Sequence, residues 1–515
     1  MQSLPTEILE MIGKWIALDN EGFKPVGKKT LLALSMCCRQ FHKIFEPILY
    51  CHLDLGSNAN RHDIHLIIRL WKHPQLADRV RSLRLSWGYE TIYINDADDD
   101  EHDDFAEFLP EALKEMFTFE EELIKTRWMD SLLGFVTEAW LGLLLVCLTR
   151  LETISMDLSC SAMLVNHLLN KAAKRERPFH KSPPFPFLRD AIVRSDAGWS
   201  SGEEGISECL ITPFFHFQNV RSIIGQSVWA SRPPAQNANH ALQDIASPGS
   251  VKSISVSQLW ECSGSLTWFG ACRELESLSL GLSLHPEEYG VSVPFDPRVL
   301  NRALLPFKDT LKYLEVTYDR WYNRCLELGS GRSIPKDNIP FESFREFSAL
   351  EHLGVRHAHL VRIFRDSPVK KHKVGRLIDR LPSSLQTLVV YDVLLKDTGL
   401  LSELLTVVRN RNLFPHLKIL QLFNTHPNDW SASEDETTEE ESIEDETTED
   451  EATVGLSFLL EGNDKEYVSP AKLARECRAR GINMGRDFGE ATDSETEIET
   501  EYEEDSEVRQ WNRQE

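Results

Sequence analysis

Several catalytic signatures are missing from this chain of 515 residues. There is no H-E-x-x-H to hold a zinc ion, no G-x-x-x-x-G-K-[ST] to cradle phosphates and no G-x-G-x-x-G for a dinucleotide. The ten cysteines form no C-x₂-C pair and no regular framework; Cys37 and Cys38 are adjacent and the others are scattered. That excludes a zinc ribbon and a disulfide scaffold, and predicts reduced, mostly buried thiols in a cytoplasmic or nuclear protein. No N-x-S/T sequon occurs, and the start of the chain lacks the basic segment and apolar run of a secretory signal. His62 and His65, or His357 and His359, would each be half a metal site, but no third ligand stands nearby, so neither a metal nor a cofactor is expected. The one candidate membrane segment, 132–148, is short for a span and carries Glu138 near its middle. It predicts a buried core helix and no membrane association.

Basic charge is equally scarce. The formal net charge is −25, with twelve acidic and no basic side chains in 431–451 and eleven and none in 487–507, which leaves the remaining body near −2. A nearly neutral body has no basic patch for phosphate attraction, so no nucleic-acid partner is expected. The small basic runs at 174–177 and 369–373 read as solvated faces, with nuclear import as the alternative.

What the chain does have begins at once. In "SLPTEILEMI" Pro5 stands where a missing N–H costs nothing, and Ile8, Leu9, Ile12, Trp15 and Ile16 recur at the spacing of one helical face. A polar connection follows, then "TLLALSMCC" as a second helix capped by Thr30, then "RQFHKIFEPILY" as a third that Pro47 breaks or restarts. Three short apolar helices make a marginal core with a greasy surface, which needs a partner.

"LPTEILEMI" followed by "LLALSMCCRQFHKIFEPILY" resembles the F-box over about residues 3–50. The resemblance implies a three-helix unit that docks on the Skp-type adaptor, and through it a cullin, of a ubiquitin ligase. It implies adaptor contacts at Leu4, Pro5, Ile8, Leu9, Ile12, Leu31, Leu34, Cys37 and Phe41. Two features depart from the family: the longer connection between the first two helices, and Phe41 where Trp is common. The rival reading of this segment is the helical end cap of a repeat array.

Downstream, the pattern apolar-x-x-apolar-x-apolar recurs. It runs from Val80/Leu83/Leu85 through Leu151/Ile154/Met156 to Leu417/Leu420/Leu422, every 24 to 39 residues after residue 151. Val220/Ile223/Gly225 is a poor copy. A strand plus a helix per unit, stacked because one unit cannot bury its own apolar face, is similar to the leucine-rich-repeat plan. The Asn or Cys usual after the last Leu is absent; Gly88, Ser159, Asp319, Ala358 and Thr425 stand there, so the array should be irregular. An α/α solenoid of the armadillo kind is the competing architecture.

The expected fold class is therefore α/β. An N-terminal three-helix F-box (1–55) precedes an irregular leucine-rich-repeat-like solenoid (56–430), an acidic disordered insertion (431–452), a terminal repeat helix or cap (453–486) and an acidic disordered tail (487–515). Strand alternation places Arg84 and Ser86, Glu315 and Thr317, Arg356, Val389 and Tyr391, and Gln421 and Phe423 on the outer sheet face. Of these, Arg84, Arg356, Tyr391 and Phe423 are the residue types enriched at binding hot spots and are the candidate contacts to a target protein. The function expected is a non-enzymatic substrate receptor of a Skp-cullin-F-box type ligase. The alternative is an interaction scaffold, or an acidic chaperone that holds a basic protein through its acidic tracts.

Overall fold

The computed structural model describes residues 4–17, 25–56, 61–86, 92, 102–158, 162–195, 205–229, 249–260, 266–283, 295–318, 340–361, 375–393, 398–423 and 468–487. The acidic insertion, the acidic tail beyond Asp487, and Gly88, Ser159, Asp319 and Thr425 lie outside these residues.

Three helices open the chain: α1 (Thr6–Ala17), α2 (Pro25–Cys37) and α3 (Arg39–Cys51). Leu9, Leu31, Ile44, Phe45 and Ile48 form their own small core, distinct from the main core of the molecule. Gly13 permits the close approach of α1 to α3, since a Cβ there would stand 2.6 Å from Ile48 Cδ1 and 2.9 Å from Phe45 Cδ1. Helix α2 starts at Pro25 and not at Thr30, because proline in the first turn gives up no intrahelical hydrogen bond. Cys38 caps α3, its Sγ accepting from Phe41 N at 3.4 Å, and Pro47 sits inside α3 without ending it. The ion pair of Arg79 Nη1 with Glu46 Oε2 (2.5 Å) ties α3 to the body.

The body is mixed α/β. Among the described residues one parallel sheet has thirteen strands: β1 (His52–Leu55), β2 (Ser82–Leu85), β3 (Thr153–Leu158), β4 (Asp190–Ser195), β5 (Ile206–Ser207), β6 (Ser222–Trp229), β7 (Ser253–Trp260), β8 (Ser277–Leu282), β9 (Tyr313–Tyr318), β10 (His352–Arg356), β11 (Thr387–Tyr391), β12 (Ile419–Phe423) and β13 (Asn483–Asp487). Spatial order follows chain order except that short β5 pairs only with β6. The register stacks Leu83, Ile154, Ala191, Ile223, Ile254, Leu278, Leu314, Leu353, Leu388 and Leu420 in one buried row. Each row member is the second apolar residue of a repeated motif, so the period of the sequence becomes a continuous core. Backbone carbonyls just before the strands form a second ladder: Lys252 O accepts from Glu276 N and Glu276 O from Lys312 N, each at 2.8 Å.

Some elements differ from the sequence expectation. The apolar run 132–148 is not one helix: a helix Glu122–Leu133 ends at Gly134, Phe135 turns at φ 56°, and a second helix spans Thr137–Cys147. The turn is itself apolar, which hides it in composition, and Trp140 Nε1 folds back onto Leu132 O at 3.2 Å. The poor copy Val220/Ile223/Gly225 is an ordinary strand, with Val228 and Ile211 filling the space at Gly225. Ser469 caps the helix Pro470–Ala479 and Gly481, at φ 67°, follows its end; beyond it the chain adds the strand β13, which the sequence pattern did not show.

Candidate interaction surfaces

The expected adaptor residues divide into two groups. Leu9 and Leu31 are buried in the core of the helical unit, and Leu34 and Phe41 pack half-buried against it. Leu9 and Leu31 therefore shape the surface from beneath and do not form it. Phe41 meets Phe45 edge-on at 5.4 Å. Leu4, Pro5, Ile8, Ile12 and Cys37 are exposed, and they are joined by residues the motif did not single out. Met11 is 63% exposed, Trp15 79% and Met36 78%. For Met11 and Trp15 the signal lay in α1 itself, which carries apolar residues beyond the face that turns to the small core; Met36 stands near the end of α2.

The second surface is the outer face of β9–β12. Tyr313 and Glu315 stand on β9, His352, Gly354 and Arg356 on β10, Val389 and Tyr391 on β11, Gln421 and Phe423 on β12. Both Tyr313 Oη and Tyr391 Oη donate to the Glu315 carboxylate. Burial, and then the bond to Glu315, push both phenols well above the usual tyrosine range, so both keep their protons. Tyr313 stacks on His352 with ring centroids 4.2 Å apart, and Tyr391 on Phe423 at 5.5 Å. Arg356 is already engaged: its Nε is 2.6 Å from Asp392 Oδ2 and its guanidinium lies 5.1 Å from the Tyr318 ring centre.

One placement corrects the alternation argument, and another limits how far its outer residues share a site. Val389 is buried, because it lies in register with Gly354 where the Glu315–Tyr391 bridge crosses. Arg84 is exposed on β2, six strand steps from β9 in the sheet order, or roughly 29 Å at the usual spacing, so it belongs to no common site with Arg356, Tyr391 and Phe423. Sequence reasoning placed Glu315 outward but gave it no role, and passed over Tyr313, His352 and Gly354.

Other chemistry is structural. His357 and His359 are fully buried, and His359 Nε2 lies 3.1 Å from Tyr318 Oη. Among the described residues no group of three His, Cys, Asp or Glu could hold a metal, and no helix is long and apolar enough to cross a membrane. Burial pushes the Cys147 and Cys272 thiols up to about 12. No family model and no curated protein sequence matches the chain.

Proposed function

We propose that the chain is the substrate-receptor subunit of a Skp-cullin-F-box type ubiquitin ligase. The body is then an irregular leucine-rich-repeat-like solenoid that carries the target. One observation supports this above the others: α1 keeps Ile8, Met11, Ile12 and Trp15 exposed, with Leu4 exposed just before it, while Leu9 turns into the small core and Ile16 packs against it. A contiguous apolar face of that kind marks a protein contact. A scaffold that used these helices as its own end cap would cover that face with its body. The monotonic order of parallel strands supports the repeat reading, since each unit covers the apolar edge of the one before. The mechanism is proximity. The helical unit holds the adaptor, the sheet face holds the target, and target lysines reach a high effective concentration near the charged ubiquitin-carrying enzyme. No bond is made or broken by this chain, and the setting is the cytoplasm, the nucleus or both.

Affinity purification with mass spectrometry tests this, comparing the wild type with Ile8→Asp/Ile12→Asp. Two unpaired carboxylates in an apolar interface cost several kcal/mol, against about 8 kcal/mol for a micromolar contact. The adaptor and a cullin should be recovered with the wild type and lost from the variant at an unchanged melting midpoint. Equal recovery of the adaptor by both would remove the F-box reading.

A further inference from the structure

We infer that the outer face of β9–β12 reads a basic side chain, Lys or Arg, in an extended segment of the bound target, with Glu315 as its counter-charge. This rests on the reading of the sheet as a target surface and names the chemistry of that target.

Among the described residues of β9–β12 the face has a single unbalanced charge. Arg356 is matched by Asp392 at 2.6 Å, whereas among the described residues no Lys or Arg pairs with Glu315. The carboxylate is nevertheless fixed in place, because Tyr313 reaches it from its own strand and Tyr391 from two strands away. A carboxylate offers about four acceptor sites, and the two phenols use two of them. The remaining capacity belongs to a half-buried anion held ready, so a cation that meets it loses little to reorganisation.

The walls suit the same ligand. The Tyr313–His352 and Tyr391–Phe423 stacks stand beside Glu315, each ring giving one face to its stack, and aromatic rings attract ammonium and guanidinium groups over a face left unstacked. Gly354 lies buried beneath the Glu315 side chain and leaves it room to lie there. His352 Nε2 is buried without a hydrogen-bond partner, 3.4 Å from where a Cβ on Gly354 would stand, so a second polar atom lies beside the Glu315 side chain. Chain connectivity adds a longer-range contribution: Phe423 is followed, eight residues on, by the stretch 431–451 with its twelve acidic side chains. A run of acidic side chains of that density attracts a basic partner over long range at low salt.

The test uses the full chain and fluorescence anisotropy with three labelled probes: a peptide of Lys, Arg, Gly and Ser, its counterpart with Glu at every basic position, and its counterpart with phosphoserine there. Titrations run at about 0.15 M and about 0.5 M salt, where screening shortens from about 8 Å to roughly 4 Å and long-range steering is removed. The wild type should bind the basic probe alone. Glu315→Gln, which removes the charge and keeps one acceptor oxygen of the two that Tyr313 and Tyr391 use, should weaken it about tenfold at both salts. Equal affinity of wild type and Glu315→Gln, binding that vanishes for both at high salt, or tighter binding of either acidic probe would each overturn the inference. If Glu315→Gln melts early, the probe reversal on the wild type decides alone. Adaptor capture is followed on the same samples. Its presence alongside a failed probe test sinks only the inference, and its absence from the wild type sinks the receptor reading whatever the probes do.

Discussion

Tyr391 on β11 donates its hydroxyl to Glu315 on β9, two strands away, where the Glu315 side chain lies over Gly354 of the strand between them. Gly354 is in register with Glu315 on one side and Val389 on the other, and a Cβ at that position would stand 3.1 Å from Glu315 Cγ. The bridge therefore depends on a missing side chain as much as on the two groups it joins. It pins three strands together on the face that carries the proposed contact to a target.

A valine at Gly354 should break this bridge. Its branched side chain cannot share the space of Glu315, so the carboxylate swings to solvent and Tyr391 loses its acceptor. A lost hydrogen bond to a charged group is worth about 1.5–3 kcal/mol, and the better strand propensity of valine returns up to about 1 kcal/mol. Denaturant titration should show a net loss of about 1–2 kcal/mol, with Tyr391→Phe losing a similar amount and the double variant no more than the larger single one. Fully additive losses would mean that Gly354 and Tyr391 act independently.

The N-terminal unit makes a sharper contrast. Leu9 and Ile12 are three residues apart on α1, yet Leu9 is buried with Leu31 and Phe45 while Ile12 is exposed. Leu9→Asp should melt the helical unit, since an unpaired carboxylate in so small a core costs several kcal/mol. Met11→Asp or Ile12→Asp should leave its helicity and melting unchanged. Circular dichroism and limited proteolysis of the three variants distinguish these outcomes, and loss of helicity in Met11→Asp would place that side chain in the core.

Much of the sheet was legible beforehand, for a physical reason. A strand with one face in the core and one outside shows its burial in alternate residues, and the buried row from Leu83 to Leu420 reproduces the repeated motif. Strands β1, β5 and β13 were not legible: β5 has two residues, β1 offers only Leu53 and Leu55, and β13 only Met484. In each, pairing with a neighbour supplies what local pattern does not. The Glu315–Tyr391 bridge joins residues 76 apart and depends on register, which no local reading contains. The exposed face of α1 was visible as apolar excess, but its division between core and surface needed the packing of Gly13 on α3.

Glu138 gives the body a pH dependence of known sign. At the start of the helix Thr137–Cys147, its carboxylate accepts from Val165 N at 2.7 Å, in the first turn of the helix Met163–Lys174. Burial is the largest influence and raises its pKa to about 7; bonds from Val165 and Leu164 and the charge of Arg127 only partly oppose it. The folded state then holds a proton that the unfolded chain releases near 4.5, so this group's contribution to stability is present below about 4.5 and is lost as pH rises through 7. Glu138→Gln should stabilise the protein at pH 8, by at most about 3 kcal/mol, and change little at pH 4.5. Melting midpoints that shift equally at both pH values would show that Glu138 is not the titrating group.

Lys171 is the buried cation whose partners are easiest to separate. Its ammonium lies 2.6 Å from Glu121 Oε1 and 3.2 Å from Met116 O, and 4.6 Å from the centre of the Phe117 ring. The side chain is 3% exposed, that of Glu121 21%. The two partners therefore differ in what they leave behind. Glu121→Ala strands a buried positive charge with one carbonyl and one ring, and removes the group that accepts from Thr118 N at 2.8 Å. That loss should be about 3–5 kcal/mol. Lys171→Met fills the same volume with an apolar side chain and leaves Glu121 a route to water and its bonds to Thr118, so it should cost under about 2 kcal/mol. The double variant should be no less stable than Glu121→Ala alone, since the stranded charge is gone. Chemical denaturation of the four proteins measures the coupling directly, and a Lys171→Met loss as large as that of Glu121→Ala would show that the ion pair itself, not the stranded cation, dominates.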